Sequence, residues 1–157
     1  MHDTSAAFFF HNNFIKSGLF ISSGTTCVIG SYLNNKFIKI IPKYFYFLQS
    51  YELESVIVAR KFNNKYYQKK TFNVDDLYLK LIREIDCFIK LNKNIHSIVI
   101  DGPFIKNKSL INKIKKYYPK LKIYIFFKQY AAALGIASII NPLNNKSFLQ
   151  RYYKLHN

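Results

Sequence analysis

The sequence predicts a single α/β domain in which an antiparallel β-meander precedes a βαβα unit. Two observations support this prediction: β-like runs fill the first half of the chain, and helical periodicity alternates with apolar runs in the second half. A chain of 157 residues, 50% of them hydrophobic, has the size of one domain and enough apolar side chains to form a core. That composition excludes a largely disordered chain.

The first half begins with a predicted short helix over residues 4–12, for which Asp3 or Thr4 is the expected N-cap. Four β-like runs follow, and they lie at 18–24, 25–33, 36–42 and 44–50. The first two runs are separated by a tight turn and therefore form a hairpin. The polar stretch 58–72, rich in Lys and Asn, is expected to contain the largest exposed connection.

A long amphipathic helix is predicted over residues 74–91. Apolar side chains recur on one helical face at Leu77, Leu81, Ile85, Phe88 and Ile89. Acidic residues occupy the first turn, where the helix dipole favours negative charge.

The remaining elements alternate between strands and helices. The apolar run at 96–102 ends in Asp-Gly and predicts a buried strand. After it come a helix capped by Asn107 or Ser109 and stopped by Pro119, a strand at 121–127, a small-residue helix at 130–140 and a terminal helix at 148–155. A meander followed by a right-handed parallel crossover is the order expected of a ribonuclease H-like domain.

The formal net charge of +16 comes from 24 basic and 8 acidic residues. Such an excess suits a polyanion such as nucleic acid or an anionic membrane. The lysines are scattered, however, and an AT-rich genome enriches Lys, Asn, Ile, Tyr and Phe whatever the function. We therefore favour codon bias and expect no nucleic-acid partner.

The cysteines and histidines show no metal-ligand spacing. Cys27 and Cys87 lie far apart and are expected to be free thiols in a reducing compartment. His11 and His96 likewise have no partner at ligand spacing, so the sequence assigns them no role and predicts no protein-bound metal site. The Phe run at 8–10 is too short for a signal sequence or a membrane span, which predicts a cytoplasmic protein with no membrane partner.

Three short motifs carry polar groups suited to chemistry. Asp3 beside His2 can act as a general base, or it can simply cap a helix. The turn in ISSGTTC at 21–27 can hold phosphate oxygens, or it can be an ordinary hairpin turn. The turn in HSIVIDGPFIKN at 96–107 follows the carboxyl end of a strand, where ligands bind in open α/β sheets, but such turns also occur without a ligand. Taken singly, each motif is better explained as a helix cap or an ordinary turn than as a catalytic or ligand-binding site.

In combination, the motifs resemble the C-terminal half of FGGY-family carbohydrate kinases of the actin-like ATPase superfamily. The resemblance is carried, in order, by HDTSAA (2–7), LFISSGTTCVIG (19–30), IVIDGPFIKN (98–107) and AAALGIA (131–137). It is greatest to the rhamnulokinase-like branch, covers most of the chain and is thin over 34–95. Four motifs in this order are more specific than any one of them.

The resemblance implies a role for each matching residue. Asp3 matches the catalytic base, which takes the proton from the sugar hydroxyl as that hydroxyl attacks the γ-phosphate of ATP. The turn that binds the nucleotide phosphates corresponds to Ser23, Gly24 and Thr25. The adenosine-binding side corresponds to Gly102 and to the helix segment Ala133, Leu134 and Gly135. ATP and Mg²⁺ are the implied cofactors, and a ketose or polyol is the implied sugar substrate.

The chain also departs from the family pattern. Pro103 replaces a second glycine, and because proline fixes φ and lacks an N–H, a distorted adenosine turn is expected. Thr26 replaces a Trp usual in the branch, and Tyr130 replaces a frequent Glu or Gln. The sequence has no counterpart of the family's N-terminal domain, which supplies most of the sugar pocket and the metal-linked carboxylates.

The leading hypothesis is a C-terminal nucleotide-binding domain of a carbohydrate kinase, incomplete alone and completed by a separately encoded N-terminal half. One alternative is a non-catalytic basic module in which Lys and Tyr or Phe side chains bind RNA or another anion. Another is a degenerate remnant that keeps the fold and has lost its ligand.

Overall fold

The computed structural model describes the residues at positions 3–24, 26–34, 43, 45–48, 55–63, 73–127, 131–140 and 153–156. Within them the chain forms seven β-strands, four α-helices and a 3-10 helix. The elements are, in chain order, α1 (Asp3–Phe14), β1 (Leu19–Ser23), β2 (Thr26–Asn34), β3 (Tyr46–Leu48), β4 (Ser55–Asn63), α2 (Val74–Leu91), β5 (Ser97–Asp101), the 3-10 helix (Gly102–Lys106), α3 (Lys108–Tyr117), β6 (Lys122–Phe126), α4 (Ala131–Ile140) and β7 (Tyr153–His156).

The described strands form one mixed sheet in the order β3-β4-β2-β1-β5-β6-β7. The pairs β1–β2, β2–β4 and β4–β3 are antiparallel and make the meander. The pairs β1–β5 and β5–β6 are parallel, and β7 closes the far edge antiparallel to β6. A meander joined to parallel strands with crossover helices is a ribonuclease H-like arrangement, so the predicted fold class is confirmed.

Successive residues of a strand point to opposite faces of the sheet. Both faces of this sheet carry apolar side chains, and helices cover both. In β1, Leu19 and Ile21 join an aliphatic cluster that includes Leu81 of α2 and Ile114 of α3. Phe20, between them, joins an aromatic-rich cluster with α1 and α4. We call the two sides the α2/α3 layer and the α1/α4 layer. The parallel strands β1 and β5 lie between the two layers.

The helices α1 and α4 pack at unusually short range. A Cβ atom at Gly135 of α4 would overlap the backbone carbonyl of Ala6 in α1. Both residues are buried, and Ala6 has no exposed surface. The small-residue character that the sequence shows over 130–140 is therefore explained by this close contact, which only glycine permits at position 135.

Two predicted helices of the second half are confirmed, and the structure shows the N-cap of each. The helix α2 has the predicted bounds, and the side chain of Asn73 accepts a hydrogen bond from the Asp75 N–H at 2.8 Å. Of the two caps predicted for α3, Asn107 is the one used, since its side chain accepts from the Leu110 N–H at 2.9 Å. These caps satisfy N–H groups that have no partner within the helix.

The exposed connection predicted over 58–72 is partly wrong. Residues 58–63 belong to β4, which pairs with β2 on one side and with β3 on the other. Val58 and Ala59 have no exposed surface. Pairing with β2 along the whole segment, and with β3 at Val58 and Ala59, outweighs its polar composition, because strand pairing satisfies backbone groups whatever the side chains are. The rest of that connection and the strand predicted at 36–42 lie outside the described residues.

The terminal helix predicted over 148–155 is also wrong for residues 153–155, the part of it that the structure describes. Tyr153–His156 is the strand β7, in register with β6 so that Tyr153 faces Phe126. Without β7, the outer edge of β6 would have unpaired backbone groups, and Tyr153 is an aromatic residue of the kind that favours strands. Residues 148–152 lie outside the described residues. Among the described helices, none has the length and apolar composition needed to cross a membrane.

Candidate functional site

A cavity of about 430 Å³ opens where the parallel strands β1 and β5 end. Its walls come from the first turn of α1, the turn after β1, the turn after β5 and the start of α4. In open α/β sheets, ligands bind outside the carboxyl ends of the strands, so the position of this cavity is itself informative. Of the residues assigned from the sequence, those that line it are Asp3, Ser23, Gly24 and Gly102.

Asp3 is the first residue of α1 and is exposed at the mouth of the cavity. A carboxylate in this position is stabilised by the helix dipole and remains accessible to a ligand. Such a group can accept a proton from a hydroxyl placed within hydrogen-bond reach. The position therefore suits the role of general base, which stays a prediction.

Ser23 joins the two turns that line the cavity. It is fully buried, its Oγ donates to the Asp101 carbonyl oxygen at 2.5 Å, and its Oγ accepts from the Phe104 N–H at 3.0 Å. Because the hydroxyl is engaged with backbone on both sides, its immediate function is to hold the turns together. Gly24, next in the chain, is exposed and presents a backbone without a side chain to the cavity. Thr25 lies outside the described residues.

Gly102 occupies a position that only glycine fits. Its φ is +76°, a region that other residues rarely adopt. A Cβ atom there would also lie 2.5 Å from the Ser23 carbonyl oxygen. Pro103 follows at the start of the 3-10 helix, where proline is favoured because its fixed φ suits a helix start and no N–H is required. The turn thus accommodates Pro103 instead of being disrupted by it.

Gly135 is not among the residues that line the cavity. It packs against α1, whereas Ala131 and Ala132, in the first turn of α4, reach the cavity wall. Ala133 is exposed and Leu134 packs in the α1/α4 layer. The structure therefore brings the start of α4 to the site, and Gly135 lets α4 approach α1 closely. The adenosine-side role of Gly135 stays a prediction.

Sequence reasoning missed a buried hydrogen-bonded chain beneath the cavity. His11 Nε2 lies 3.0 Å from Asp101 Oδ2, and His11 Nδ1 lies 2.7 Å from the Tyr153 hydroxyl. These partners are 90 and 142 residues from His11 in sequence, so no local spacing could reveal them. The available signal was Asp101 itself, an acidic residue at the end of a fully buried strand.

The carboxylate of Asp101 affects the groups around it. Burial, followed by the negative charge of Asp101, raises the pKa of the Tyr153 hydroxyl, which keeps its proton at neutral pH. Burial, followed by the charges of Asp101 and Glu84, raises the pKa of the Cys27 thiol. Cys27 is therefore an inert core side chain, and both it and Cys87 are free thiols as predicted.

The lining also includes a cation, Lys106, which the 3-10 helix places on the cavity wall. Its ammonium can neutralise part of a phosphate charge. Among the described residues, no three His, Cys, Asp or Glu side chains cluster as metal ligands. The site thus combines an exposed carboxylate, a lysine and two glycine-containing turns.

The fold resembles that of solved carbohydrate kinases. A carbohydrate kinase from Novosphingobium aromaticivorans matches with a TM-score of 0.64 and 12% sequence identity over 97% of this chain and 50% of that chain. A ligand-bound xylulose kinase and a gluconate kinase, both from Lactobacillus acidophilus, match with TM-scores of 0.60 and 0.63 and identities of 11% and 10%. Each of these two matches covers 97% of this chain and 44% of the kinase.

These similarities establish an actin-like ATPase fold of the carbohydrate-kinase type. This chain spans about half the length of the kinases it matches. None of the three is described as a rhamnulokinase, so these matches do not support the resemblance to that branch. No family model matches the sequence. A search of curated proteins likewise found no match.

Proposed function

We propose that this chain is the nucleotide-binding domain of a carbohydrate kinase that transfers the γ-phosphate of ATP to a sugar hydroxyl. The observation that carries the proposal is the meeting of Asp3, the turn at Ser23 and Gly24, and Gly102 at one cavity. These groups come from three separate segments of the sequence and converge at the carboxyl ends of parallel strands. The similarity to carbohydrate kinases supports the same function.

In this proposal each wall of the cavity has one task. The turn at Gly102 receives the adenosine side of ATP, and the backbone at Gly24 together with Lys106 receives the phosphates. Asp3 accepts the proton of the sugar hydroxyl as it attacks the γ-phosphorus. Mg²⁺ would neutralise phosphate charge and would be held largely by phosphate oxygens and water, so the two carboxylates on the cavity wall, Asp3 and Asp101, are compatible with it.

The substrate-binding side of the reaction needs a second wall. The cavity is bounded by one domain, whereas phosphoryl transfer requires the sugar to be positioned and water to be excluded. We propose that a separately encoded N-terminal kinase half supplies this wall and selects the sugar, a ketose or polyol, in the cytoplasm.

Nucleotide binding by the full chain is the direct test. Calorimetry with ADP and Mg²⁺ should detect binding, and Gly24→Ala should weaken it about tenfold because a methyl group would then occupy the phosphate side. Gly24 offers a clean probe, since the nearest atom to an added Cβ is the Thr26 carbonyl oxygen at 3.7 Å and folding should be unaffected. Leu79→Ala, an exposed change on α2, is the matched control. Absence of ADP binding by the unmodified chain contradicts the proposal.

The assigned base is tested with the second half present. Sugar-dependent release of ADP should appear when this chain is mixed with an N-terminal kinase half. Asp3→Asn should abolish that release while leaving ADP affinity unchanged, because the carboxylate takes the proton and does not bind the nucleotide. Full activity in Asp3→Asn would show that another group is the base.

A second function, binding of RNA, is favoured by one surface. Tyr117 of α3 is 53% exposed, contacts the rings of Tyr78 and Tyr118, and lies among lysines of α3. Some of these groups have structural tasks, however. Tyr118 donates to Asp86 at 2.6 Å, and Lys113 pairs with Asp75. Binding of single-stranded RNA with a steep salt dependence, lost in Tyr117→Ala, would favour this function over the kinase proposal.

A further inference from the structure

The hydrogen-bonded chain of Tyr153, His11 and Asp101 lies directly beneath the candidate site. His11 is 1% exposed, and the side chain of Asp101 is 10% exposed and forms part of the cavity wall. A buried carboxylate is costly unless it is hydrogen-bonded, and His11 supplies that hydrogen bond. The geometry therefore connects the far-edge strand β7, through α1, to the turn that carries Gly102.

The surroundings hold the imidazole in one orientation. Aromatic rings contact it on several sides, with the ring of Phe20 stacked at a centroid distance of 5.8 Å and that of Phe126 edge-on at 5.2 Å. Tyr153 is itself held by Phe14, whose ring stacks on it at 4.0 Å. Among the described residues, the hydrogen-bond partners of His11 are Asp101 and Tyr153, and the packed rings hold the imidazole in the orientation that meets both.

We propose that Tyr153 and His11 act as positioning residues that orient the Asp101 carboxylate toward the cavity, where it accepts a hydrogen bond from the nucleoside part of the ligand. The Tyr153 hydroxyl donates to Nδ1, which requires the proton of the imidazole to be on Nε2, and Nε2 donates to Asp101. The part of the proposal that concerns the ligand rests on the proposed nucleotide-binding function.

The charge of Asp101 determines which part of a nucleotide it can contact. A carboxylate repels phosphates and accepts hydrogen bonds from neutral hydroxyl or amino groups. Lys106 supplies the positive charge to the same cavity. The carboxylate of Asp101 therefore suits a ribose hydroxyl or an exocyclic amino group better than a phosphate.

The ligand-independent test is the protonation pattern of His11 in the full chain. Nitrogen NMR at pH 7 should show a protonated Nε2 and an unprotonated Nδ1 that loses its hydrogen-bond shift in Tyr153→Phe, a variant that retains the stacked ring. The amide resonance of Gly102 should move in His11→Phe and return in His11→Gln, because a glutamine amide can both accept and donate. A protonated Nδ1, or identical Gly102 resonances in the two His11 variants, overturns the proposal.

The ligand-dependent test compares adenosine with ADP by calorimetry. His11→Phe and Asp101→Asn should each weaken adenosine binding about tenfold, because the hydrogen bond to the nucleoside is lost. ADP binding should weaken less, because the same change also removes the repulsion between the carboxylate and the phosphates of ADP. His11→Gln should remain near the unmodified affinity, and His96→Gln, at an exposed histidine, is the control. Equal affinities in all variants overturn the positioning role. If the unmodified chain binds neither compound, the nucleotide function fails, and the NMR results alone decide whether the chain orients Asp101.

Discussion

The two helical layers of this domain are built in different ways. The α2/α3 layer is aliphatic, its helices are capped by Asn73 and Asn107, and each helix buries one face. The α1/α4 layer is rich in aromatic rings, and α1 buries polar residues along with apolar ones. The first layer follows from periodic sequence patterns, whereas the second depends on contacts between distant segments. The candidate site lies on the second layer.

Leu81 tests the aliphatic layer and has the largest expected effect. It is fully buried in α2, so Leu81→Ala should lower the free energy of unfolding by about 3 kcal/mol through lost burial and the cavity left behind. Urea unfolding followed by circular dichroism measures the change. Leu79→Ala, on the exposed side of the same helix, should alter it by less than about 0.5 kcal/mol. Similar losses in both variants would contradict the one-sided burial of α2.

Gly135 tests the α1/α4 layer with a smaller expected effect. Gly135→Ala places a methyl group against the Ala6 backbone, so the helices must separate, and about 2 kcal/mol of unfolding free energy should be lost. ADP binding should weaken as well, because the first turn of α4 lines the cavity and α1 carries His11, the hydrogen-bond partner of Asp101. Leu81→Ala, in the other layer, should change ADP binding only through its effect on folding. An unchanged stability in Gly135→Ala would show that α1 and α4 are not in close contact.

Glu84 tests the pH response of the α2/α3 layer and has the smallest expected effect. Burial raises the pKa of this carboxyl, but hydrogen bonds from Arg60 and Lys80 outweigh burial and lower it below its ordinary value. A lowered folded-state pKa stabilises the fold above the unfolded-state pKa, and this contribution is lost as the pH falls through the folded-state pKa.

The measurement is unfolding free energy as a function of pH. Glu84→Gln should cost about 1.5 kcal/mol at pH 7 and should reduce the loss of stability between neutral pH and the acidic range. Asp76→Asn, at an exposed residue in the first turn of the same helix, is the control. A steeper loss of stability in Glu84→Gln than in the unmodified chain would mean that the pKa of Glu84 is raised instead.

The elements best predicted from the sequence are those with strong local signals. The helix at 74–91 has a capping Asn, acidic residues in its first turn and a continuous apolar face, and its predicted bounds agree with the structure. The Asp-Gly turn that ends the apolar run at 96–102 identified both a strand end and a wall of the cavity. Both signals lie within a few residues of the feature they predict.

The errors occurred where pairing between distant segments outweighs local pattern. Residues 58–63 looked like an exposed connection and form a strand because β2 pairs with all of them and β3 also pairs with Val58 and Ala59. Tyr153 looked helical and lies in β7 because the edge of β6 is available. His11 was given no role because both of its hydrogen-bond partners are far away in sequence.

The sequence by itself indicated the α/β class, the alternation of strands and helices over 74–140, and the residues Asp3, Gly24 and Gly102, which the structure places on one cavity wall. Periodicity, caps and turn residues are local, and a chain carries them before it folds. Only the tertiary structure decided that Ser23 joins two turns, that Gly135 serves helix packing, and that His11 connects Tyr153 to Asp101. Those roles depend on distances between segments brought together by the sheet, and no local pattern encodes such distances.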